Sequence, residues 1–464
     1  AAMDSGPAQV IVLGRTQLLD PAGGFESFRR EHDNDDRRQL RARVVRDLKR
    51  IAAAEQREIL AQLGKTSATR SLWIVNAMVL TLTADEIRRA SALDAVGFIY
   101  RTNETIGPAQ SGAGMPIVPA ATSRAFSAAN RRIAWNVQSL GAPRVWQELG
   151  VTGEGATVAV LDFGVNYMHQ DLTTNLWRNA GEIPENGRDD DANGYVDDIH
   201  GFDFASMRPQ LRDTTGAYQH GTVVSGIVAG DGTSGIITGV APRARLMMMR
   251  GNGPSAAALA HQYALENGAD VLSMSFSLAN LGNLRGFWRM MSDHATAAGL
   301  FLVGGAGNFR TSAQVPVQHW APKDAPNVVS VGGVDSVLQI VPFSSGGPAE
   351  WSTVELYRDY PMPNGITKPD VVGFPGGYPI LGAGNTGYVD PNPNVKGNSF
   401  SGPQGAGVAA LIFAAAPQLS AWRARDIIER TARDLGPSGK DNDFGSGLLD
   451  AFAAVQAARS ALKR

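Results

Sequence analysis

Three residues at separate junctions of the chain have the side-chain chemistry of nucleophilic catalysis. Asp162 closes the apolar run Ala156-Thr-Val-Ala-Val-Leu-Asp162, His220 opens the small-residue run His220-Gly-Thr-Val-Val-Ser-Gly, and Ser399 sits in Gly397-Asn-Ser-Phe-Ser-Gly-Pro403 before a long apolar stretch. Taken singly, each has a structural explanation: a turn-opening Asp, a satisfied His, and a Ser that caps a helix. Taken together, the order Asp, His, Ser in an α/β chain is one in which nucleophilic triads occur. A serine hydroxyl attacks an acyl carbon only with a base in hydrogen-bond reach, and imidazole titrates in the range that suits this task. A buried carboxylate on the other ring nitrogen would hold the tautomer and stabilise the imidazolium.

The elements that must position these residues are legible in outline. From Trp135 onward, short apolar runs (157–161, 245–250, 271–275, 300–303 and 328–331) alternate with helical patterns. This predicts an α/β fold with a mostly parallel sheet and helices on both faces. It places Asp162 at the carboxyl end of a buried strand, where such sheets build their sites. Before it, a helix over 36–63, a strand over 71–82, a helix from the Thr83 cap to about 93 and a strand over 96–102 predict a small α+β unit. A stretch rich in Gly, Ala, Ser and Pro follows and reads as a linker. The organisation is therefore 1–103, a small domain; 104–134, a linker; and 135–464, the large domain.

At this level of detail residues 135–460 resemble the subtilisin-like (subtilase) serine proteases. The resemblance rests on the Asp, His and Ser blocks and on Asp270-Val-Leu-Ser-Met-Ser275-Phe-Ser, Leu302-Val-Gly-Gly-Ala-Gly-Asn308, Lys368-Pro-Asp-Val-Val and Phe444-Gly-Ser-Gly-Leu-Leu-Asp-Ala, in the family's order. It implies a serine endopeptidase acting through an acyl-enzyme, with Asn308 and the Ser399 backbone N–H as oxyanion donors. It further implies a groove for a protein or peptide substrate, walled by Ser275, Phe276 and Ser277 on one side and Gly304, Gly305 and Ala306 on the other. The two glycines are expected to leave room for a large side chain next to the scissile bond. The small domain resembles the ferredoxin-like propeptide of the family, an intramolecular inhibitor, and a maturation site is expected in the linker. Phe163, Val223, Asn398, Ser401-Gly402 and Gln404 depart from the family pattern around the three catalytic residues. A catalytically silent peptide-binding scaffold and a peptide ligase or cyclase on the same fold are the alternatives.

A second constellation, Asp189-Asp-Asp191-Ala-Asn193-Gly194-Tyr-Val-Asp197, has the spacing that opens an oxygen-ligand calcium loop, although His200 stands where an EF-hand requires Glu. Calcium held by Asp189, Asp191, Asn193 and Asp197 is the expected cofactor, and similar acidic insertions in subtilases agree. Composition narrows the field further. With 42 basic and 44 acidic residues and no cysteine, the chain has neither a nucleic-acid binder's charge excess nor a thiol nucleophile, and it has no Cys-based metal site. No apolar run is long enough to span a membrane. The propeptide resemblance makes a secreted or periplasmic protein the expectation, with no export signal in this sequence.

Overall fold

The structure is a computed structural model that describes residues 6–101, 131–212, 220–251, 253–389 and 396–462. Most of the linker, 104–130, lies outside the described residues. The amino-terminal unit runs β1 (Ala8–Gly14), α1 (Gly24–Glu31), α2 (Arg37–Gln62), β2 (Arg70–Leu72), β3 (Ala77–Leu82), α3 (Ala84–Ser91) and β4 (Val96–Arg101). Its sheet is antiparallel in the order β2-β3-β1-β4, the ferredoxin-like arrangement. Asp36 caps α2 by accepting from the N–H groups of Arg38 and Gln39, and Thr83 and Glu86 form a reciprocal capping box on α3. The expected strand over 71–82 is broken: a 3-10 turn occupies Trp73–Val75, and Asn76 takes a left-handed conformation. This break swings Ile74 and Val75 into the core.

The large unit is built on seven parallel strands: β5 (Thr157–Asp162), β6 (Gly201–Asp203), β7 (Arg245–Arg250), β8 (Val271–Met274), β9 (Phe301–Gly305), β10 (Val328–Gly333) and β11 (Val371–Gly373). Their spatial order is β11-β10-β9-β8-β5-β7-β6, with every pair parallel. After β5 the chain goes first to one side of the sheet and then to the other, so the switch in strand order falls between β5 and β8. Ligands bind outside the carboxyl ends of strands at such a point.

Both faces are buried, as the unbroken apolar runs predict. Val158 and Val160 of β5 pack with α4 (His220–Ala229) and α7 (Gly402–Ala415), whereas Ala159 and Leu161 face α5 (Pro254–Glu266) and α6 (Leu284–Ala297). The second cluster continues into the amino-terminal unit. Ile11, Leu13, Leu72, Val79 and Tyr100 lie in it, while Val10, Val12, Met78 and Leu80 on the opposite sheet face pack with α2 and α3. One face of the small sheet is thus covered by the helices of the large unit. Arg132–Ile133 pairs with Ile236–Ile237, so the large unit begins slightly before residue 135.

Candidate active site

Asp162 is the last residue of β5 and His220 the first of α4, and both are buried. The imidazole Nδ1 lies 2.8 and 2.9 Å from the two carboxylate oxygens of Asp162. One of these oxygens also accepts the Phe163 N–H at 2.8 Å, which fixes the carboxylate plane. With Nδ1 donating to the carboxylate, Nε2 of the neutral ring is left as the basic nitrogen. The approach of helix to strand depends on Gly221, where a Cβ would come within 2.4 Å of the Gly164 carbonyl oxygen.

Ser399 is half-buried in the 3-10 turn Asn398–Phe400 that leads into α7. Phe400 brings this turn to His220, its ring 5.8 Å from the imidazole centroid. Phe163 stands 6.1 Å from the imidazole and 6.4 Å from the ring of Phe276. Ser399 Oγ donates to the Ser275 carbonyl at 3.3 Å, and Ser275 Oγ donates to the Ser399 carbonyl at 3.0 Å. The 3.3 Å bond is long, so it is readily given up by hydroxyl rotation.

Asn308 lies just beyond β9, with its side-chain oxygen accepting the Asn398 N–H at 2.8 Å. That bond sets the orientation of the amide and leaves its Nδ2 beside Gly397, 3.2 Å from where a Cβ there would be. The backbone N–H of Ser399 stands at the start of a helical turn, where N–H groups have no partner within the turn.

The departures around the serine are part of one hydrogen-bonded set. Asn398 Nδ2 donates to the Gly307 carbonyl at 2.7 Å and to Ser344 Oγ at 3.0 Å, tying the Ser399 turn to the segment that carries Asn308. Gln404 Nε2 donates to Phe374 O, Phe400 O and Tyr378 Oη, and its oxygen accepts from Phe374 N. Ser401 Oγ bonds to Val331 O and Asn398 O, each at 2.9 Å. Val223 is simply core.

The residues expected to wall a groove lie at the ends of the adjacent strands β8 and β9. A Cβ at Gly305 would come within 1.8 Å of the Asn398 carbonyl, and one at Gly304 within 2.3 Å of Met274 O and 2.9 Å of Lys323 Cδ. The two glycines therefore serve close approach, Gly304 to Met274 O and the Lys323 stem and Gly305 to Asn398. Ala306 is buried, with its N–H on Val331 O.

In the acidic loop, Asp189 and Asp191 come together with Glu182, one ligand oxygen of each lying within 4.8 Å of the others. Asp197 and Asn193 do other work: Asp197 accepts the Asn186 and Gly187 N–H groups, and Asn193 Oδ1 accepts from Tyr195 N. Glu182 lies seven residues before Asp189, outside the spacing of the motif. Three carboxylates form a hard oxygen donor set of the kind calcium takes.

Residues 153–447 match the family model described as the subtilase family. This chain belongs to the subtilase family. Subtilases are serine endopeptidases, and this member is 30% identical to subtilisin DY of Bacillus licheniformis over 324 residues, covering 67% of this chain and 94% of that protein. Subtilisin E of Bacillus subtilis is 25% identical over 414 residues, 88% of this chain and 87% of its own. Fervidolysin of Fervidobacterium pennivorans is 26% identical over 351 residues, 69% of this chain and 43% of its own, so the chain spans under half of that relative. Among the described residues, no helix is long and apolar enough to cross a membrane.

Proposed function

We propose that this subtilase cleaves peptide bonds with Ser399 as nucleophile, His220 as general base and Asp162 as the group that orients and stabilises the imidazole. The observation that carries the reading is the paired contact of Asp162 with His220 Nδ1, on a ring that also packs against the residue following Ser399. His220 Nε2 takes the hydroxyl proton as Oγ attacks the carbonyl carbon. The developing oxyanion is received by Asn308 Nδ2–H and the Ser399 N–H. His220 then returns the proton to the leaving amine, and water hydrolyses the acyl-enzyme by the same relay. Asp162 remains ionised throughout.

The amino-terminal unit acts, in this reading, as the chain's own propeptide and inhibitor. Its ferredoxin-like sheet covers helices α5 and α6, and the match to subtilisin E covers more of the chain than residues 135–464 alone supply. A docked template suits a parallel sheet, whose non-local pairings form slowly. Export to the cell exterior or periplasm accompanies a self-inhibited precursor. Calcium at Glu182, Asp189 and Asp191 would stiffen the loop between the Asp and His segments, supplying a cation to oxygens that now accept only backbone and amide donors.

Intact-mass spectrometry of the parent and Ser399→Ala proteins tests the central claim. Shortening of the parent alone, together with hydrolysis of peptides by the parent alone, is expected. Equal cleavage by the two proteins would remove Ser399 from the mechanism, and ligated rather than hydrolysed product would make the enzyme a transferase. For the loop, removal of calcium with a chelator should lower Tm by several degrees. An unchanged Tm in metal-free protein would make it a self-folded acidic turn.

A further inference from the structure

Lys323 is fully buried, and its amine stands within the groove wall. Its Nζ donates to the Phe276 carbonyl and, at 2.7 Å, to Ser277 Oγ. Its stem runs beneath Gly304, with Cδ 2.9 Å and Cγ 3.1 Å from where a Cβ would be. The ammonium group therefore joins the two segments that flank the nucleophile: one reaches Ser399 through Ser275, and the other backs onto Asn398 through Gly305.

Among the described residues, no carboxylate lies within ion-pair distance of it. The adjacent Asp324 is engaged by Arg285 Nε at 2.7 Å. A buried charge without a direct ion pair is costly, and burial, opposed only by the through-space pull of Asp324, takes the Lys323 amine down to about 7. Two of its three possible hydrogen bonds are made by neutral oxygens. What the site lacks is an anion, and the remaining donor can bond to one.

We propose that Lys323 makes this subtilase select an acidic residue, Glu or Asp, on the acyl side of the scissile bond, pairing the substrate carboxylate with the ammonium between the Ser275–Ser277 and Gly304–Ala306 walls. The proposal rests on the protease reading above. An apolar side chain placed there would bury the cation further without a partner, whereas a carboxylate forms a charge-assisted hydrogen bond in a site screened from water.

The test is kcat/KM on peptides identical except for Glu, Gln, Leu or Phe before the scissile bond, with the parent and with Lys323→Met, whose side chain keeps the length and loses the charge. The Glu-to-Gln ratio is insensitive to the fraction of enzyme that is folded. The parent is expected to favour Glu over Gln by at least about tenfold, and Lys323→Met to bring that ratio near one while gaining on Leu. A ratio near one in the parent, or the same ratio in both proteins, overturns the assignment and leaves the protease reading standing. Failure of the parent to hydrolyse any of the peptides overturns both.

Discussion

Asp162 grips the imidazole of His220 with both oxygens, so its effect on rate should act through the ring's tautomer rather than through the fold. Asp162→Asn is expected to lower kcat on a peptide substrate by about 10⁴-fold with unchanged circular dichroism, because an amide can present its NH₂ to the ring and reverse the roles of the two nitrogens. Asn308 has two jobs that substitution can separate. Its oxygen accepts the Asn398 N–H, and its NH₂ is the donor that the proposed mechanism gives to the oxyanion. Asn308→Ala should cost on the order of 10² to 10³ in kcat with little change in KM. Asn308→Asp retains the acceptor and loses the donor, so it should be nearly as slow. A fast Asn308→Asp enzyme would show that the residue serves only to hold the turn.

At the scale of elements, the site exists because helices and strands approach more closely than side chains normally permit. Gly305 meets the Asn398 carbonyl, and Gly402 at the start of α7 meets the Gly305 N–H, where a Cβ would be 2.5 Å away. These contacts place the Ser399 turn directly on the end of β9. Gly305→Ala should therefore destabilise by roughly 1 to 3 kcal/mol, read as a lower urea midpoint, and should also reduce kcat because the nucleophile turn must shift. In the amino-terminal unit, Asp36→Ala removes the cap of α2 and should cost about 1 kcal/mol, measured the same way.

For the whole molecule, the union of the two units rests on buried polar bonds as well as on apolar area. Arg37 is buried against Asp270 and also donates to the Gly299 and Pro417 carbonyls. Phe25 and Phe28 meet Trp422 edge to face, each at 6.3 Å. His294 of α6 receives the Leu19 N–H and bonds to the Ile74 carbonyl, both across the boundary. Accepting on one nitrogen and donating on the other requires a neutral ring, and burial lowers its pKa to about 4. Because the folded value lies below the unfolded one near 6.5, the unfolded chain binds the extra proton between those values. Stability contributed by His294 is thus complete above about pH 6.5 and is lost progressively as pH falls toward 4. His261 and His319 are lowered in the same direction by burial within the large unit. The urea midpoint should fall over this pH range, and less steeply in His294→Gln; parallel curves for the two proteins would show that His294 does not participate.

What was legible in the sequence has a common physical basis. The parallel sheet and the pairing of Asp162 with His220 could be read because close approach and burial on both faces admit few residues. Gly221, Gly305 and Gly402 record backbone contact, and the unbroken Val and Leu runs record two covered faces. The helix expected over 36–63, found at 37–62, and the Thr83 cap were legible for the same kind of local reason, since capping and periodicity act within a few residues. The turn at Trp73–Val75 was not, because an apolar run reads alike whether the strand continues or folds inward, and packing against α5 and α6 decides the matter. Nor were the places of Arg37 and Lys323. A charged side chain in a sequence reads as solvated, and only the tertiary structure shows that chain segments far apart have enclosed it. The sequence determined which residues can perform the chemistry, and the folded chain alone decided which charges surround it, because burial and pairing of a charge depend on neighbours distant in sequence.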